Sequence, residues 1–444
     1  MGSIIANIKK TAYYLKRNGL KNTWDAVAER LGGSGETYVF TETPADVLEN
    51  QREASGTLSD IRVSIVVPAF RTPEQFLRRM IDSVLNQTYP KLELILADAS
   101  DTDSVEQVVK TYSDERLVYH RLAENAGISQ NTNEGLKFAT GDYVGLLDHD
   151  DILTPDALYE MVSMIESKRR QGIELQMLYS DEDKCDGEET ACFEPNFKED
   201  FNLDLLLSNN YICHFLMMKR EMMQSLGFRG EYDGAQDFDL VLRAAYALSD
   251  REECIAHVEK VLYHWRCHSA STAENPQSKR YAYEAGMRAT ADFAAKKGWK
   301  VQAKETKHLG FYRYEYAESP LIQRTDLGAI GGPVIHRKRI IGGRMDEEGM
   351  VYYENLPVNF SGYLHRASLQ QDALALDLRN IELKEALYPL FQEIVGVPYK
   401  KDESTGRLDV SILPQGADKK ELAIALGRAI RQKGFRLLYL PDRK

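Results

Sequence analysis

The sequence predicts an α/β protein built on a mostly parallel sheet with helices on both faces. Three observations carry this. From residue 62 onward, apolar β-branched runs of strand length alternate with stretches of helical periodicity, the pattern of βαβ units with right-handed crossovers. Polar and acidic residues gather directly after the apolar runs, at 68–71, 98–103 and 148–151, where such sheets bind ligands. Hydrophobic residues are 43% and charged residues 28% of 444, which suits a globular core and not a disordered chain. At roughly 150 residues per domain, the length suggests two or three domains.

Residues 1–24 hold Lys9, Lys10, Lys16, Arg17 and Lys21 and no acid, on a chain of net charge −12. Ile4, Ile5, Ile8, Tyr13, Tyr14, Leu15 and Leu20 are interleaved with them. Basic and apolar residues at helical spacing suit an anionic membrane surface, and equally a surface helix packed on the α/β domain. Asn22 and Thr23 are placed to cap a further stripe through Trp24, Val27 and Leu31. Residues 36–60 read as a polar linker or covering strap. Strands are expected at 62–68, 92–97, 117–120 and 141–147. The first is apolar enough to be buried on both faces. Thr72, Pro73 and Glu74 open a helix, with Thr72 as cap and Phe76, Met80, Val84 and Leu85 on one face. Helices near 105–112 and 127–139 complete the alternation. A short strand at 177–180, a strand running into a loop at 261–266 and a closing helix at 276–300 follow.

Asp148-His149-Asp150-Asp151 comes straight after an apolar strand and precedes a helix start at Thr154-Pro155. Close carboxylates repel unless a cation lies between them. Hard divalent cations take oxygen ligands and leave positions open for phosphate oxygens. The plainer reading is a pair of acids favoured by a helix dipole. It fits Asp156 and Asp151 but does not need Asp148.

The segment from Val63 to about Ser271 resembles the family 2 glycosyltransferases of the GT-A fold. The resemblance is carried by VSIVVPAF at 63–70, ADASDTD at 97–103, NAGISQNTNEGLKFATGDYVGLLDHDD at 125–151, GAQDFDLVLR at 234–243 and VLYHWRCHSAS at 261–271. YSDEDK at 179–184 and FKEDFNLDLLLSNNYICHF at 197–215 are similar to bacterial members that build surface polysaccharides. The resemblance implies a metal-dependent, inverting transfer of a sugar from a nucleoside-diphosphate donor to a glycan or lipid-linked glycan acceptor. Pro68 and Ala69 would pass the nucleoside by backbone contacts, and Asp98 would bind the base or ribose edge. Asp148 and Asp150 would be the Asp-x-Asp pair, Asp148 toward the donor and Asp150 on Mn²⁺ or Mg²⁺. Asp237 would be the general base, a role compatible with its alternative as a helix cap. His264 would be the late metal ligand, with His268 the alternative. Arg266 could clamp a phosphate, and Trp265 could stack on a sugar or sit in the core. Asp181 and Asp183 would lie on the acceptor side or, with Glu182, form a solvated acidic turn. The sequence departs from the family at three places. Ala99 follows Asp98 where a second acid is usual. The loop after Pro68 lacks the common Asn, so Arg71 would reach the donor phosphates. Gln130 or Asn131 replaces a basic residue near Asn133.

The expected organisation is a basic helical segment and linker at 1–60, a GT-A domain at 61–300 and a smaller α/β region at 301–444. In the last, 327–334, 362–364 and 426–441 resemble the carboxyl half of a second GT-A module without its acids. That region reads as a non-catalytic remnant serving acceptor binding, dimerisation or stability, which leaves a homo-oligomer open. Two other readings compete. A non-catalytic sugar-nucleotide or glycan-binding subunit would not need Asp148, Asp150, Asp237 and His264 together. An Asp-x-Asp phosphohydrolase normally uses the first strand of its domain, and here three precede. The acidic balance argues against nucleic acid. No apolar run approaches the ~18 residues of a membrane span, and no signal peptide is evident. Five scattered cysteines suit free thiols in a reducing compartment. The expected location is the cytoplasm, peripheral to the inner face of the membrane.

Overall fold

The computed structural model describes residues 2–32, 38–268 and 280–443. The chain divides into two compact units, one of Glu36–Phe201 with Asn210–Phe293, the other of Met1–Gly35, Asn202–Asn209 and Ala294–Lys444.

The first unit is organised by a nine-stranded sheet: β1 (Val63–Ala69), β2 (Leu92–Asp98), β3 (Leu117–Arg121), β4 (Tyr143–Leu146), β5 (Ile152–Leu153), β6 (Met177–Asp186), β7 (Cys192–Asn196), β8 (Leu216–Lys219) and β9 (Ile255–Cys267). The spatial order is β3-β2-β1-β4-β8-β6-β9-β5, with β7 on β6. The β3-β2-β1-β4 half is parallel, as the strand–helix alternation predicts. β6 and β9 are also parallel, whereas β8 runs antiparallel to both β4 and β6. β1 is buried except at Pro68, and β2 throughout, as its β-branched sequence requires.

The helices in chain order are α1 (Gly2–Gly32), α2 (Ala45–Ser55), α3 (Glu74–Leu85), α4 (Ser104–Val109), α5 (Ile128–Leu136), α6 (Ala157–Arg170), α7 (Leu203–Ser208), α8 (Arg220–Leu226), α9 (Gln236–Ala247) and α10 (Arg280–Lys296). α3 buries Leu77, Met80, Ile81 and Val84. Thr72 does not cap it. Its hydroxyl lies 2.9 Å from His149 Nδ1 instead. The expected linker at 36–60 contains α2, and the strands expected at 177–180 and 261–266 are the longer β6 and β9. The acids 181–183 are therefore strand and not turn.

In the second unit, α1 is broken at Gly19 (φ 77°), a left-handed conformation that glycine adopts without strain. The break precedes the expected cap at Asn22-Thr23, whose side chains donate back to Asn18 and Gly19 carbonyls. Arg17 pairs with Glu305 at 2.8 Å, and Glu29 accepts from the Ser361 and Gly362 backbone N–H groups. Four strands form this unit's largest sheet, in the spatial order Gln371–Ala373, Arg436–Tyr439, Leu327–Gly331, Ile381–Leu383. The helix Lys419–Gln432 precedes the second of these, and Asp418 caps it by accepting from Lys420 and Glu421. Among the described residues, no helix is long and apolar enough to cross a membrane.

Candidate active site

The apolar β4 delivers the acid cluster to the carboxyl end of the parallel strands. β5 then pairs antiparallel with β9 at Tyr263 and His264, bringing β9 side chains onto the acids. The Tyr263 hydroxyl donates to Asp151 Oδ2, and the Arg266 N–H donates to Asp151 Oδ1 at 2.7 Å. His268, one residue beyond β9, places Nε2 2.9 Å from Asp150 Oδ2. Phe76 of α3 lies against the His268 ring, centroids 4.6 Å apart. Asp237 is the second residue of α9, and the Asn210 amide donates to its Oδ2 at 3.0 Å.

Charge accumulates here. Burial pushes the Asp148 carboxyl up. His214 opposes the shift, while the Asp150 and Asp237 charges add to it. Burial drives Asp151 well above the carboxylate range, and Asp148 and Asp150 push the same way. Four carboxylates thus sit near one another with one imidazole bonded to Asp150, an arrangement that a divalent cation would relieve. The Asp150 oxygen and the His268 nitrogen are a fitting donor set for Mn²⁺ or Mg²⁺.

Several expected site residues have other partners. Asp150 meets the alternative ligand, His268. His264 Nδ1 instead lies 2.5 Å from Asp183 Oδ1. Arg266 is fully buried, with its guanidinium over the Phe76 ring at 4.7 Å and 2.9 Å from Glu189. Asp98 is also fully buried and accepts from the Tyr119 hydroxyl and the Ser100 N–H, both at 2.9 Å. Asp181 bonds His257 Nε2 and the Lys198 N–H, and Asp183 bonds Tyr38 and His264. Both are buried in β6 and not offered to an acceptor. Arg71 is exposed and forks onto Asp101, Nε to Oδ1 at 2.7 Å. The Ala69 carbonyl accepts from the Ala99 N–H, and Pro68 is half-buried at the end of β1. Trp265 is half-buried against the core under the Lys184 ammonium. Sequence reasoning missed Asn210, His214, Tyr263 and Phe76 as site residues, although the first three lie within the motifs at 197–215 and 261–271.

Residues 64–227 match the family model described as glycosyl transferase family 2. The chain is 36% identical over 278 residues to the uncharacterized protein y4gI of Sinorhizobium fredii, covering 59% of this chain and 30% of that protein. It is 34% identical over 261 residues to the O-antigen biosynthesis protein RfbC of Myxococcus xanthus, covering 57% of this chain and 20% of that one. The match therefore spans less than a third of either relative. Among solved structures, S. aureus TarS 1-349 in complex with UDP-GlcNAc overlaps 52% of this chain and 66% of its own, at 18% identity and a TM-score of 0.42.

Proposed function

Residues 64–227 form a glycosyl transferase family 2 domain, and from that premise we propose that the chain transfers a sugar from a nucleoside-diphosphate donor, with inversion, in bacterial surface polysaccharide synthesis. The acceptor is a glycan or lipid-linked glycan. The observation that carries this reading is the grouping of Asp148, Asp150 and Asp237: the charges of Asp150 and Asp237 both push the buried Asp148 carboxyl up, and Asp150 is paired with His268.

Asp237 takes the proton of the acceptor hydroxyl as that oxygen bonds to the anomeric carbon. The bond from that carbon to the donor phosphate oxygen breaks with its electron pair on the diphosphate. Asn210 occupies Oδ2 of Asp237, which orients the carboxylate and leaves Oδ1 for the acceptor. A divalent cation held by Asp150 and His268 would supply charge neutralisation to the departing diphosphate. Arg71, released from its exposed pair with Asp101, is free to meet donor phosphates.

The lipid-linked acceptor is favoured by α1. Leu20 (79% exposed), Trp24 (73%) and Val27 fall on one helical face after the break at Gly19, with Lys21 a turn from Trp24. The opposite face is engaged through Arg17 and Glu29. Such a face suits an anionic bilayer surface.

The reading is tested by turnover of a sugar-nucleotide panel with membrane-extracted acceptors. Wild type should release nucleoside diphosphate only when cation and acceptor are present. Acceptor-dependent release at the wild-type rate from Asp237→Asn and Asp150→Asn would overturn it.

A further inference from the structure

We propose that Asp183, Cys192 and His264 form a second, structural metal site of the zinc type, separate from the acids at 148–151. The three ligand atoms come from three neighbouring strands. β7 and β9 flank β6, and the register sets Asp183 beside His264 and Cys185 opposite Cys192. Alternation along β6 puts Asp183 and Cys185 on one face. Over that face, Cys192 Sγ stands 3.9 Å from His264 Nδ1, which is 2.5 Å from Asp183 Oδ1. All three ligand atoms lie within 4.8 Å of one another. Asp183 is fully buried and His264 nearly so.

The surroundings orient these ligands. The Tyr38 hydroxyl donates to the other oxygen of Asp183 at 2.7 Å, and the Phe40 ring meets His264 edge-on at 4.6 Å. Metal-ligating side chains are usually held by such outer partners. Cys185, opposite Cys192 in the register, is placed where a small shift would let it serve as a fourth donor. The Asp186 N–H bonds the Ala191 carbonyl, so the neighbouring 185/192 pair is the non-hydrogen-bonded kind, in which facing side chains come closest.

Thiolate, imidazole and carboxylate together select zinc over Mg²⁺ or Mn²⁺, which prefer oxygen. Binding replaces the thiol protons and the proton in the His264–Asp183 hydrogen bond, all of which pass to solvent. The ion would fasten the 38–44 segment and β7 to β6 and β9. β9 is also the strand that delivers Tyr263 and Arg266 to Asp151.

The test uses the full chain, purified without chelator in a phosphine reductant. Wild type should retain stoichiometric zinc through dialysis. After zinc removal, Co²⁺ alone should produce near-ultraviolet thiolate-to-cobalt absorption and tetrahedral visible bands. Cys192→Ser should lose the thiolate absorption, His264→Gln should weaken Co²⁺ binding at least tenfold, and Asp150→Asn should keep the spectrum. The wild-type spectrum needs no variant to fold. No thiolate absorption with reduced thiols would overturn the site. So would a Cys185–Cys192 disulfide in freshly prepared protein, which would make the pair a redox element. Co²⁺ binding that survives Cys192→Ser but not Asp150→Asn would assign the metal to the acid cluster.

Discussion

Asp237 Oδ2 accepts from the Asn210 amide, while Oδ1 accepts from none of the described residues. That asymmetry separates catalysis from folding. Asp237→Asn retains the amide geometry and removes the base. Turnover should fall by about 10²–10⁴-fold, with donor affinity by calorimetry unchanged. Equal loss of donor binding would show that the side chain is structural. Asp148 and Asp150 were legible in the sequence as acids directly after an apolar strand, and Asp237 through the family resemblance of GAQDFDLVLR. Of their partners, His268 alone was among the expected residues, as the alternative metal ligand. His268 reaches Asp150 across 118 residues and Tyr263 reaches Asp151 across 112, and no local pattern encodes such contacts. Nor does a charged letter reveal enclosure. Arg266 and Asp98, which the resemblance implies as ligand contacts, are both fully buried in the fold.

Elements carry the next set of consequences. The acids of β6 looked like a turn because a strand rarely holds three in a row. What makes them strand is pairing along both edges and a specific partner for each: His257 and the Lys198 N–H for Asp181, Asn196 for Glu182, and His264 and Tyr38 for Asp183. In the second unit, α7 is tied down by Arg324, fully buried, whose guanidinium contacts Asp204 at 2.5 and 2.9 Å and Asp326 at 2.7 Å. Arg324→Met strands the buried Asp204 charge and should cost about 3–5 kcal/mol in urea unfolding, while the double variant with Asp204→Leu should recover most of it. No recovery would show that the cost is lost packing against Trp299, which the guanidinium covers at 4.1 Å. His308 and His365 stack at 3.5 Å in the same unit. Burial first, then mutual and Lys307 charge, holds His308 down to about 3; burial, followed by a smaller Lys307 effect and despite Glu29, holds His365 down to about 4. Both are neutral when folded, and the unfolded imidazoles take protons near pH 6.5. Stability should therefore be full above about pH 6.5 and fall as pH drops from there toward 4. His308→Phe keeps a stacking ring and should make that fall shallower in denaturant titrations at pH 7, 6 and 5.

At the scale of the whole molecule, a chain of net charge −12 opens with a stretch, residues 1–24, that holds five basic residues and no acid, and the α1 face of Leu20 and Trp24 is solvent-exposed. Sedimentation with vesicles containing an anionic phospholipid should carry the protein down at low salt and release it at high salt. Trp24→Ser with Leu20→Ser should abolish this, and binding to neutral vesicles at equal strength would contradict the electrostatic part. The parallel half of the large sheet was legible from strand–helix alternation. The β8, β6, β9 and β5 half was not, because its order departs from chain order. The second unit was legible only in fragments, since its short strands are separated by long irregular segments. The account rests on a donor site at Asp148–Asp151. Its most direct test is a thermal-shift panel of sugar nucleotides with Mn²⁺ or with chelator, on wild type and Asp150→Asn. A donor at about 100 times its dissociation constant adds roughly 2.7 kcal/mol, a readable shift. The account predicts stabilisation by one nucleotide family, lost with chelator and lost in Asp150→Asn. No stabilisation by any sugar nucleotide, or an equal shift in the variant, would contradict it.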